Sequence, residues 1–150
     1  MKKARLDKLL KIAKYFEQEE QRAMRLLHQY KATLSEQQKI LDNLREYRQQ
    51  YLNELGLSGL NGISINKLGN YKKFIGNIET AVTQHEVMIK STRDQYAAAH
   101  RTWRKRSNKL NAVNRLAERI RLSIVRLEEI GIQKSIDDFV LQQHQKKWEH

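Results

Sequence analysis

The sequence predicts an all-α protein: a long two-helix antiparallel coiled coil, folded as a helical hairpin, with a short C-terminal helix. Three observations predict it. Heptad patterns run along most of the chain, five of the six glycines fall in one short region between them, and proline is absent. Proline makes up about 5% of ordinary chains, and its ring breaks a helix interior, so 150 residues without one permit long uninterrupted helices.

The first arm takes its heptad from Leu6 at position a and Leu9 at position d. The seam continues through Ala13, Phe16, Ala23, Leu27, Tyr30, Leu34, Leu41, Leu44, Tyr51 and Leu55, broken by Glu20, Gln37 and Arg48. In the second arm, Leu68 and Tyr71 start a seam through Ile75, Ile78, Val82, Ile89, Tyr96, Ala99, Trp103, Leu110, Val113, Ala117, Ile120, Ile124 and Leu127. His85, Thr92 and Arg106 interrupt it. Only a supercoiled helix pair keeps a 3.5-residue repeat facing its partner over such a length. The predicted boundaries are helix 1 over about 3–55, a Gly-rich turn over about 56–66 and helix 2 over about 67–130, all in one elongated domain. Ser135, followed by Ile136, Asp137 and Asp138, has the form of a helix start, with a capping hydroxyl and acids in the first turn. It predicts the short helix over about 135–148.

In an antiparallel pair an a residue faces a d residue. Numbers summing to 126 satisfy that rule here, placing Ala23 opposite Trp103, Leu27 opposite Ala99, Leu9 opposite Ala117 and Glu20 opposite Arg106. Large side chains then meet small ones. A charge left unpaired in a seam costs about 3–5 kcal/mol, so pairing Glu20 with Arg106 favours this register over slipped ones.

Composition narrows the function. Charged residues are 31% of the chain and apolar ones 39%, against about 25% and about 45–50% in typical soluble domains. The absence of cysteine excludes disulfides, thiolate metal sites and cysteine nucleophiles. The uncharged stretch from Leu55 to Asn66 contains three glycines and falls short of the roughly 20 apolar residues of a membrane span. Lys8 and Lys11 interrupt the basic start before a signal-peptide core can form. The expectation is a cytosolic chain that reaches a membrane only by docking, without direct insertion.

No catalytic constellation emerges. His28, His85, His100, His144 and His150 form no metal-binding pair at helical spacing, and the turn's Gly-x-x-Gly-x-x-Gly lacks the Gly-Lys-Ser/Thr ending of a phosphate-binding loop. The reading is non-enzymatic, without cofactor or metal.

Two surfaces stand out instead. Near the turn the g positions carry Ile40 and Tyr47 from the first arm with Phe74, Ala81 and Met88 from the second, adjoined by Leu44, Tyr51, Ile78 and His85 on the seam. The e positions opposite carry Lys31, Gln38, Arg45, Lys72, Glu79, Glu86 and Arg93. A two-stranded coil buries mainly a and d, so the apolar g side is expected to remain partly exposed, as a docking patch or as a widened seam.

The other surface is basic. Arg101, Arg104, Lys105, Arg106, Lys109, Arg115, Arg119, Arg121 and Arg126 stand against Glu118 alone, and the hairpin brings Lys2, Lys3, Arg5, Lys8, Lys11 and Lys14 alongside. Met1 to Lys14 carries +5 and Arg101 to Arg126 carries +8, leaving −1 for the remainder of a chain whose net charge is +12. Such an end suits an acidic protein channel, a nucleic acid or an anionic membrane surface.

The segment from Gly62, Ile63 and Ser64 to His85, with Asn70, Tyr71, Phe74, Ile75, Glu79, Ala81, Thr83 and Gln84, resembles the flagellar FliJ proteins. Trp103, Arg104, Lys105 and Leu110, then Gln133, Lys134, Asp138 and Phe139, continue the likeness, as do Leu44, Tyr47 and Tyr51 in the first arm. The resemblance implies a stalk of the flagellar type III export apparatus, similar to the central stalk of rotary ATPases, located in the cytoplasm and peripherally at the inner membrane. Implied partners are the export ATPase hexamer, the cytoplasmic domain of the export-gate membrane protein, and export chaperones; nucleic acid is not among them. The family's gate-binding surface carries over to Leu44, Tyr47, Tyr51, Phe74, Ile78, Ala81 and His85. The ATPase-ring end carries over to the end bearing both termini, here Arg5, Lys8, Lys11, Lys14, Arg115, Arg119 and Arg126. Ile40 departs from the family, where a glutamine stands, and Ile78 replaces a leucine. The alternatives are a nucleic-acid-binding coiled coil using residues 101–126 and the equivalent stalk of a virulence-type secretion system.

Overall fold

A computed structural model describes residues 1–148. They form two α-helices, α1 (Lys2–Asn61) and α2 (Ile65–Trp148), packed against each other, with no strand among the described residues.

The connection is tighter than the glycine-rich region suggested. Gly62, at φ 81°, stands just past the end of α1. There a left-handed residue ends a helix, and glycine adopts it without a Cβ clash. Two residues later the Ser64 hydroxyl accepts the backbone N–H of Lys67 at 3.2 Å, and its carbonyl accepts Leu68 N–H at 3.0 Å, the pattern of an N-cap. Gly56 and Gly59 therefore lie inside α1, where the expected boundary had put them in the turn. A helical glycine costs only about 1 kcal/mol relative to alanine, and Leu55, Leu57 and Leu60 around them are good helix formers.

The C-terminal helix is likewise not a separate element, for α2 runs through Gly131 and Ser135 without a break. Ser135 is not a cap. Its hydroxyl donates to the carbonyl of Gly131 at 3.0 Å, and the Gln133 amide donates to Asp137 at 3.1 Å. Both are bonds between residues four apart on a continuing helix.

By its contacts the chain divides into two compact units, one of residues 1–21 with 104–150 and one of residues 22–103. In the second unit, Leu41, Val82 and Ile89 form the core cluster, with Leu34, Leu44 and Ile78 packed on it. Every seam position assigned in this unit is buried or half-buried, including Gln37, Arg48, His85 and Thr92. Thr92 is satisfied by donating its hydroxyl to the Met88 carbonyl at 3.0 Å. Arg45 pairs with Glu86 at 3.3 Å, a contact between helices running in opposite directions.

In the first unit Leu6, Leu9, Ala13 and Phe16 of α1 and Leu110, Val113, Ala117, Ile120 and Ile124 of α2 are buried or half-buried. Leu127 departs from the expected seam at 53% exposed. The reason is that α1 begins at Lys2, whose ammonium donates to Ser123 Oγ at 2.5 Å, so Leu127 has almost no α1 beside it. Arg106 reaches Glu19, to its carboxylate at 3.6 Å and its backbone carbonyl at 3.3 Å. The residue expected there was Glu20, one position on. The residue numbers of Lys2 and Ser123, and of Glu19 and Arg106, each sum to one less than 126. Glu20 is half-buried. No large side chain among the described residues is more than 98% buried, as follows when a core is the single seam between two helices.

Candidate functional site

The apolar surface lies in the unit of residues 22–103. Tyr47 and Phe74 are 55% and 54% exposed, and Ile40 and Met88 are nearly as open, while Leu44, Tyr51, Ile78, Ala81 and His85 are half-buried beside them. Heptad geometry produces this gradation: a and d side chains point at the partner helix and g side chains flank the seam. The Tyr51 and Phe74 rings stack, centroids 5.7 Å apart and planes 3° from parallel, and Tyr71 meets Tyr51 edge-on at 6.4 Å. These are favourable aromatic geometries.

Tyr51, Tyr71 and Phe74 line an open depression of about 250 Å³ with Glu54, Lys67 and Asn70. Tyr71 had been assigned to the seam, and Glu54 and Lys67 carried no role. The available signal was that Tyr71 adjoins the turn, where the seam ends and a large ring cannot be covered on all sides. On the e side the charged character holds, with the Arg45–Glu86 pair between helices and Gln38 donating to Asp42 at 3.0 Å.

The basic surface belongs to the other unit. Arg5, Lys8, Lys11, Lys14, Arg115, Arg119 and Arg126 are all exposed, and none has a side-chain hydrogen bond or ion pair among the described residues. Besides Lys2, which donates to Ser123, other cations of the same unit are engaged. Lys3 pairs with Glu128 at 3.4 Å, Arg106 with Glu19, and Arg121 with Glu118 through two bonds of 2.6 and 3.0 Å. That fork holds the Glu118 carboxyl below its ordinary range, first through the hydrogen bonds, and raises the Arg121 guanidinium. Arg101, the first residue of the basic run, falls in the other unit.

One feature of this unit was not foreseen. Tyr15, exposed, stands beside Phe16 with ring centroids 6.0 Å apart, and both line a depression of about 240 Å³ with Glu19, Arg106 and Lys109. Tyr15 is off the heptad seam, which is why period alone passed over it.

No group of three or more His, Asp or Glu side chains among the described residues could hold a metal ion, and His150 lies outside them. No helix among the described residues is long and apolar enough to cross a membrane.

Comparison with known proteins agrees with the geometry. The family model described as flagellar FliJ protein matches residues 1–149. The flagellar FliJ protein of Escherichia coli K12 is 30% identical over 123 residues, covering 82% of this chain and 84% of its own length. That of Salmonella typhi is 28% identical over the same span.

Proposed function

This chain belongs to the flagellar FliJ protein family, a component of the flagellar export apparatus, and we propose that it acts there as a non-enzymatic stalk and adaptor. It binds and activates the export ATPase ring through the end bearing both termini, and docks on the membrane export gate through the patch near the turn. It also receives export chaperones. The single observation that carries this reading is the exposed apolar strip of Ile40, Tyr47, Phe74 and Met88 on one flank of a coil whose other flank is charged. Contiguous exposed apolar surface is uncommon on chains that work alone.

Each role follows from the side chains. The unpaired cations Arg5, Lys8, Lys11, Lys14, Arg115, Arg119 and Arg126 supply a positive field that draws an acidic ring lumen and accelerates encounter. The aromatic patch supplies buried area and anchors, since Tyr and Phe lose few rotamers when an interface forms. ATP chemistry is the partner's. The stalk acts by binding one state of the ring more tightly than another, which is the only way a ligand shifts an equilibrium.

A pull-down from cell extract with the wild-type chain and Phe74→Asp in parallel tests the reading. Recovery of an export ATPase and a gate subunit by the wild type, with only the gate subunit lost in the variant, is the expected result. Failure of the wild type to retain either protein counts against it. Binding to duplex DNA that weakens steeply with salt, with a slope near 0.9 per phosphate contact, would move the basic end to the nucleic-acid alternative.

A further inference from the structure

From residue 125 onward every described side chain of α2 is exposed, because α1 starts level with Ser123. The helix nevertheless keeps an apolar face. Ile132, Ile136 and Phe139 recur at i, i+4 and i+7, the spacing of one helical stripe, and are 62%, 51% and 61% exposed, with Val140 at the edge. Gly131, Ile132, Ser135, Ile136 and Phe139 line a shallow depression on this stretch. This stripe is not a continuation of the coiled-coil seam, whose next positions are Gly131, Lys134 and Asp138. It is a second face, exposed along its length among the described residues.

Charge placement indicates what covers it. Glu128 and Lys146 are eighteen positions apart, about five full turns at 3.6 residues per turn, so they lie on one line along the helix. Glu129 and Lys147 share a second line by the same spacing. The two lines flank the apolar stripe on either side, acidic at its start and basic at its end. In an antiparallel helix pair each flank meets the same flank of its mate. A second copy of the same segment, turned end for end, therefore sets Glu128 against Lys146 and Glu129 against Lys147, twice each by symmetry. The dyad then falls between residues 137 and 138, and Ile136 lies opposite Phe139. Asp137, bonded to Gln133, and Asp138 project away from the stripe, so like charges do not meet at the dyad.

We propose that residues 128–147 form an isologous self-association site in which two copies of this chain pair antiparallel through the Ile132, Ile136 and Phe139 stripe. The surface is self-complementary in charge, and Ile136 and Phe139 meet across the dyad with Ile132 opposite Gln143, the reciprocal pairing that a two-fold interface requires. Lys3 pairs with Glu128 at 3.4 Å within the chain, both side chains being well exposed, and exchanges for Lys146 of the second copy. A single short helix pair lies below the roughly 1,200 Å² of a standard interface, so the dimer is weak. The site adjoins the termini-bearing end proposed to engage the ATPase ring, but uses none of the seven basic residues assigned to that end.

Sedimentation equilibrium of the full chain, run from micromolar to millimolar concentration, is the test. The wild type is expected to show a monomer–dimer equilibrium. Lys146→Glu/Lys147→Glu and Glu128→Lys/Glu129→Lys each bring like charges together and weaken self-association by about tenfold or more, with helicity by circular dichroism retained. An equimolar mixture of the two variants regains the dimer, because each supplies the charges the other has reversed. A wild type monomeric throughout, a dimer indifferent to the reversals, or variants whose mixture stays monomeric would each overturn the proposal. Binding of the stripe to phosphatidylserine vesicles without any dimer would overturn it in favour of a membrane surface.

Discussion

The ring of Tyr51 on α1 lies 3° from parallel to that of Phe74 on α2, with 5.7 Å between centroids. Tyr51 closes the seam from the inside, and Phe74 rests on it with about half its surface open. Phe74 is therefore held in place by a half-buried residue while presenting an outer face.

Phe74→Asp removes the exposed member and leaves the seam intact. It is expected to lower stability by about 1 kcal/mol, since only part of an aromatic side chain is buried and one stacked pair is lost. Gate-subunit binding should fall by two orders of magnitude or more while ATPase stimulation persists. Urea denaturation, a binding assay and an ATPase assay separate the three; parallel loss of both activities would refute distinct surfaces.

Arg115→Glu/Arg119→Glu addresses the basic end. Both residues are exposed, and no side-chain bond or ion pair holds them among the described residues, so stability should stay within about 0.5 kcal/mol of wild type. Stimulation of the export ATPase should drop, and the wild type's stimulation should itself decline with added salt, as screening of exposed charge requires. Stimulation unchanged in the double variant would remove these two residues from the ring-binding end.

The heptad period made most of the fold legible, because a two-helix core consists of little besides its a and d residues. All assigned seam positions except Leu127 are buried or half-buried, and the exposed g side followed from the same geometry. What escaped the sequence were the ends. Five clustered glycines suggested a broad turn, yet a reversal needs only one residue at positive φ, and Gly62 supplies it. Ser135 had the composition of a cap but none of its backbone geometry. A serine inside a helix is as readily satisfied by the carbonyl four residues back, and composition does not distinguish the two. The Tyr51–Tyr71–Phe74 arrangement depended on ring orientations that residue spacing does not encode.

Gln37 tests the seam energetically. Its side-chain oxygen is buried without a hydrogen-bond partner among the described residues, on α1 between Leu34 and Leu41, which belong to the apolar core cluster and its surround. An unsatisfied buried polar group costs about 1–3 kcal/mol. Gln37→Leu, similar in volume, should raise stability by about 1–2 kcal/mol with no change in secondary structure. Urea denaturation measures this directly, and a destabilised variant would show that the amide is satisfied in solution.

The Glu118–Arg121 fork predicts a local pH dependence. Hydrogen bonds and the charge of Arg121 depress the Glu118 carboxyl relative to its ordinary value. A carboxylate whose pKa is lower folded than unfolded contributes its stability above the unfolded value and loses it as pH falls through the folded one. The pair is exposed, one helical turn apart and open to screening, so its effect on global unfolding is small. The sensitive readout is the Glu118 side-chain resonance. It should titrate below the ordinary carboxylate value, return to that value in Arg121→Gln, and move toward it in high salt. A Glu118 that titrates at the ordinary carboxylate value in the wild type would show that the fork does not persist in solution.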